Sequence, residues 1–199
     1  MSLLYPRVNL RHLPVMLGLA SMGALVAGTY GVVHDQITYT LSREYFTAFK
    51  FDQFTYLIEP GRPERVVVGM IGFLATWWVG MISAWFLARL TVPHLPARQA
   101  TWLCMQGFGI IIGLAVVAGA VGALLGTWRM RHGELDEWAV LAAGHRLQHP
   151  DRFVRVAYIH NGSYLGGLIG LVLACISVRR QRGMVPEPDA GTPGRGAGE

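Results

Sequence analysis

Gln99–Trp128 reads QATWLCMQGFGIIIGLAVVAGAVGALLGTW, 30 residues without a charge. As a helix rising 1.5 Å per residue it extends about 45 Å, more than the roughly 30 Å of a hydrocarbon core. Three further uncharged runs accompany it: Leu13–Val33, Val66–Ala88 and Val156–Val178, the last interrupted only by the polar His160 and Asn161. These runs predict an all-α, polytopic membrane protein. Its spans lie at about 13–33, 66–88, 101–128 and 156–178, in a four-helix up-down bundle with two outer loops that carry short helices. Residues 1–182 form this domain, and 183–199, rich in Gly, Pro and acid, a disordered cytoplasmic tail.

Composition agrees. With 52% hydrophobic and 15% charged residues in 199, little material remains for a soluble domain. The net charge of +5 does not indicate nucleic acid, because the basic residues sit beside the spans and form no separate patch. Cys104 and Cys175 have no CxxC partner or metal-ligand spacing and read as packing residues. Arg7 and Arg11 ahead of the first run also suit a signal peptide. The run exceeds the usual h-region and no A-x-A site follows, so the helix is expected to be retained.

Arginines set the expected orientation. Arg7 and Arg11 precede the first run, Arg89 and Arg98 sit in the short second connector, and Arg179, Arg180 and Arg182 follow the fourth run. Short loops near span ends carry the positive-inside signal, which places both termini in the cytoplasm of a bacterial inner membrane. Small residues recur every four positions in each run: Gly23, Ala27, Gly31; Gly72, Thr76, Gly80; Gly109, Gly113; and Gly162, Gly166, Gly170. Close packing drives helix association in lipid, so these stripes predict a tight bundle, with a homo-oligomer contact open to any surplus stripe.

Polar residues gather at the outward end. The first run closes with His34, Asp35 and Gln36, and the fourth opens with Arg155, His160, Asn161 and Tyr164. Asp35 extends the Gly23–Gly31 stripe and so faces other helices. Asp35 at a helix C-terminus and Arg155 at an N-terminus each oppose the macrodipole, which predicts that they meet, directly or through water. The cluster has two further readings. With Glu44 it is a binding site for a small ligand or a complex partner. Alternatively His34 and His160 ligate a metal or a haem, with Glu44 or Asp35 assisting, although no H-x-x-x-H or E-x-x-H pattern occurs within a span.

Between Tyr39 and Tyr56 the first outer loop holds seven aromatics. Ser42 is a helix cap with Glu44 in the first turn, which puts Tyr45, Phe46 and Phe49 on one face and Arg43 and Lys50 elsewhere. Such a segment lies in the membrane interface or folds over the bundle mouth as a lid, the interface being the simpler placement. In the second loop, Glu134, Asp136 and Glu137 open a helix that closes near His145 and Arg146, with Leu135, Trp138, Leu141 and Ala142 on its apolar face. His145 and His149 read as surface histidines.

The chain resembles an uncharacterised family of small bacterial four-span membrane proteins. The resemblance rests on Tyr30-Gly31 with His34-Asp35-Gln36-Ile37-Thr38, on Glu44-Tyr45-Phe46-Thr47, on Ala75-Thr76-Trp77-Trp78-Val79-Gly80, and on His160-Asn161 with Ser163-Tyr164-Leu165. It implies the same topology and draws attention to the same polar cluster, and it supplies no substrate. The function expected is that of a non-enzymatic subunit or ligand-binding protein. A redox protein is the first alternative, and a carrier or channel the second.

Overall fold

The computed structural model describes residues 9–133, 137–145 and 147–184. Arg7, Glu134, Leu135, Asp136, Arg146, the Ala142 side chain and the tail beyond 184 lie outside them. The described residues are helical throughout, with short connectors and no strand. Helix α1 spans Leu13–Leu41, α2 Glu64–Thr91, α3 Ala97–Arg131, α4 Glu137–Gly144 and α5 Pro150–Gly183. All but α4 are long and apolar enough to cross a membrane. The chain is a multi-pass, all-α membrane protein.

The distribution of side chains is that of a lipid-embedded bundle. Gly23, Gly31, Gly72, Gly80, Gly122, Gly166 and Gly170 are buried, while Val116, Val121, Leu124, Leu165, Leu168 and Val172 are exposed along the helix flanks. In water that apolar surface would be a liability; in a bilayer it is the solvent contact.

The stripes show which helices meet. A Cβ on Gly23 would strike Gly80 and Ala84, and one on Gly31 would strike the Gly72 carbonyl. As one number rises the other falls, so α1 and α2 run antiparallel with their backbones touching. The Thr76 hydroxyl lies 2.8 Å from both the Ala27 and the Gly72 carbonyl oxygens and shares its one proton between them. Helices α3 and α5 pair in the same way: Gly122 against Tyr158, Gly162 against Ala118, Gly166 against Leu114 and Gly170 against Ile111. Gly109 and Gly113 meet no neighbour. The expected bundle is therefore two tight antiparallel pairs.

At the end where α1 begins and α5 finishes, the pairs are sealed together by Met16, Leu87, Leu103, Cys104 and Val178. Cys104 lies 3.6 Å from the Thr91 hydroxyl there. The opposite, connector end is closed by Tyr45, Phe46, Val68, Phe153 and Ala157.

Two helices run past their uncharged stretches. Helix α1 continues eight residues beyond Val33, to Leu41, and α5 begins six before Val156, at Pro150. Polar groups in these extensions find partners nearby: Thr38 Oγ1 donates to the His34 carbonyl (3.0 Å) and Tyr39 OH to Glu64 Oε2 (2.5 Å). His34 and Asp35 are thus inside a helix and not at its end, and Arg155 is in the second turn of α5.

Candidate functional site

Residues four apart share a helix face. On α1, Tyr30, His34 and Thr38 form such a row, with Asp35 beside it; on α5, His160, Ser163 and Tyr164 meet that row at the same depth. His34 Nδ1 lies 3.2 Å from Asp35 Oδ1, and His34 Nε2 lies 3.3 Å from Ser163 Oγ. His160 Nε2 lies 3.7 Å from the same Asp35 oxygen. The two imidazole rings are 4.7 Å apart between centroids and tilted by 33°. Asp35 and His160 are both buried, His160 with 3% of its surface exposed.

The buried Asp35 interacts with two histidines, and no direct ion pair joins it to Arg155, contrary to the direct form of the contact expected from the sequence. The physical reason is placement: neither charge sits at the helix terminus that would have required neutralising. The Arg155 Nε is buried without a hydrogen-bond partner among the described residues.

Two atoms in the cluster have unmet hydrogen-bonding capacity. His160 Nε2 is buried and 3.7 Å from its nearest acidic oxygen, beyond hydrogen-bond reach. The Tyr30 hydroxyl, beside Ser163 but outside hydrogen-bond geometry, is the other. Both residues border a cavity of about 410 Å3 between the two helix pairs, lined also by His34, Asp35, Ser163, Thr76 and Ser83 and by apolar groups such as Ala27, Phe108 and Ile111. Trp78 and Tyr164, each about half exposed, also line it and place its mouth on the lipid-facing flank between α2 and α5.

The aromatic connector closes the site from the connector end. Ser42 Oγ accepts from the Tyr45 amide (3.3 Å), the expected cap. Residues 46–50 then form a single π-helical turn, a feature found often at functional sites. The Tyr45 ring sits 4.8 Å from that of His160 and 5.4 Å from that of Phe153. Phe49 packs edge-on against Trp138 of α4 at 5.5 Å. The segment is a lid over the bundle mouth, where the sequence made the interface the simpler placement. Aromatic area that would otherwise lie among headgroups is buried on α5.

Burial raises the Tyr45 phenol pKa, with Tyr164 and Asp35 adding to the shift. Lys50, expected off the aromatic face, is buried at the end of the π turn. Desolvation lowers its pKa, and the Asp35 charge partly opposes that shift.

The other candidates lie apart from the cluster. Glu44 accepts from the Gln148 amide (2.7 Å) and the His149 amide (2.9 Å), just ahead of α5. There its charge suits the helix N-terminus and ties the two connectors together. Gln36 donates to the Arg65 carbonyl (2.7 Å). Asn161 is exposed and lines a groove between α3 and α5. Tyr164 stands at the cavity mouth, its ring 6.4 Å from that of His160.

Tyr30 and Ser163 stood at the outward end in the sequence without being counted among the candidate site residues, and Lys50 was placed only off the aromatic face. Each had a signal: Tyr30 is four residues before His34, Ser163 three after His160, and Lys50 four after the buried Phe46.

No protein-family model, no curated protein and no solved structure matches the chain.

Proposed function

We propose that this protein is a non-enzymatic ligand-binding protein of a bacterial inner membrane, and that its ligand engages His34, Asp35 and His160 at the extracytoplasmic end of α1 and α5. The orientation rests on the positive-inside rule. The two long connectors carry nine Lys/Arg, so the raw count does not decide. Arg89 and Arg98 in the short connector and Arg179, Arg180 and Arg182 within four residues are denser, and that density supports both termini in the cytoplasm.

The observation that carries the reading is the buried His160 Nε2, without a hydrogen bond, on a cavity wall. An unmade hydrogen bond of this kind costs roughly 1–3 kcal/mol. Ionisable groups held at membrane depth are costly as well, and a ligand that completes the set accounts for keeping them.

A haem between the two histidines does not fit this geometry. Rings 4.7 Å apart are in direct contact, whereas bis-histidine ligation requires a macrocycle between them. The absence of a charged residue at mid-depth also weighs against a carrier, whose sites sit near the bilayer midplane.

Native mass spectrometry of protein released gently from its own membranes tests the reading. Wild type is expected to carry a bound mass that Asp35→Asn and His160→Leu lack. Identical bare-chain masses for all three would rule it out.

A further inference from the structure

Resting on the ligand-site reading above, the geometry points to a divalent transition-metal ion as what His34 Nδ1, Asp35 Oδ1 and His160 Nε2 bind. Zinc ligands lie ~2.0–2.1 Å from the metal, so donors at the corners of a tetrahedron stand about 3.4 Å apart. The two measured separations, 3.2 and 3.7 Å, straddle that value, and the donor atoms of the trio lie within 4.8 Å of one another. Two imidazoles and one carboxylate form a borderline-hard donor set that suits zinc, iron, manganese or copper(II) in place of a thiolate-bound ion. Cys104 belongs to the core at the other end of the bundle.

The surroundings support a cation. A neutral imidazole carries one N–H, and His34 faces Asp35 with one nitrogen and Ser163 with the other. With a metal at Nδ1, the proton resides on Nε2 and donates to Ser163 Oγ. Ligating histidines commonly hold their second nitrogen this way. His160 Nε2 is buried and without a hydrogen bond, and in the tautomer protonated at Nδ1 it offers a lone pair for a metal. Three protein ligands leave at least one coordination position, and all three line the cavity, where a further small ligand or water completes the shell.

The test uses the full chain in nanodiscs after chelator treatment, titrated with zinc by calorimetry and with cobalt(II) by visible absorption. The expected result is one ion per chain, with cobalt ligand-field bands of a four- or five-coordinate site. Asp35→Asn and His160→Gln are expected to weaken zinc binding by about 100-fold or more, and Ser163→Ala by about 10-fold. The exposed pair His145→Gln and His149→Gln should leave it unchanged. Should the ligand variants fail to fold, Ser163→Ala and the wild-type cobalt spectrum decide. No zinc uptake by wild type, or uptake unaltered in Asp35→Asn, His160→Gln and Ser163→Ala, overturns the metal. An organic mass in the native spectrum without zinc uptake removes the metal and leaves the ligand site. Neither mass nor zinc removes both.

Discussion

Asp35 shows how far single residues could be read. Its stripe position placed it toward other helices, and it is buried there against His34 and His160. Its partner was misjudged because the end of the uncharged run was taken as the end of the helix. Side-chain hydrogen bonds from Thr38 and Tyr39 carry α1 eight residues further, so the macrodipole argument for Arg155 lost its basis. Lys50 was illegible for a related reason: residue type suggested solvent, while the i+4 relation to Phe46 brought it inward. Its lowered pKa has a consequence for stability. Between that value and the usual 10.5 the unfolded chain binds more protons than the folded one, so stability rises with pH across this window. Lys50→Met is expected to melt higher than wild type near neutral pH and to lose that rise. Melting curves of both proteins from pH 7 to pH 10 check this, and parallel curves would refute it.

At the scale of elements, the small-residue stripes were plain in the sequence, but their pairing was not. Period-four spacing marks a face without naming the face opposite. The backbone approaches supply that: Gly31 meets Gly72 and Gly162 meets Ala118, each through a carbonyl oxygen that cannot move aside. Gly31→Leu and Gly162→Leu should therefore each cost about 1–3 kcal/mol or more through overpacking. Gly113→Leu, with nothing within 4 Å of its Cβ, should stay within about 0.5 kcal/mol of wild type. Unfolding in detergent ranks the three, and equal losses would contradict the assigned pairs. The aromatic connector was legible up to its cap at Ser42. Its role as a lid depends on contacts with Phe153 and Trp138, roughly 100 residues away in sequence, which no local pattern encodes.

The whole molecule is two antiparallel helix pairs, each closed by glycine contacts, joined by a core at one end and an aromatic lid at the other. The cavity lies where the pairs part, and the His34–Asp35–His160 cluster lines its wall. Four spans followed from length and composition; the division into pairs, and hence the cavity, required coordinates. In the orientation proposed above, this cluster faces the outside of the cell and is closed to the cytoplasm. Thiol labelling with an impermeant maleimide measures that directly, in a Cys104→Ser, Cys175→Ser background carrying either Gln53→Cys or His94→Cys, both exposed positions at opposite ends. Intact cells should label Gln53→Cys at once and His94→Cys only after lysis. The reverse pattern would place the cluster on the cytoplasmic face and contradict the account.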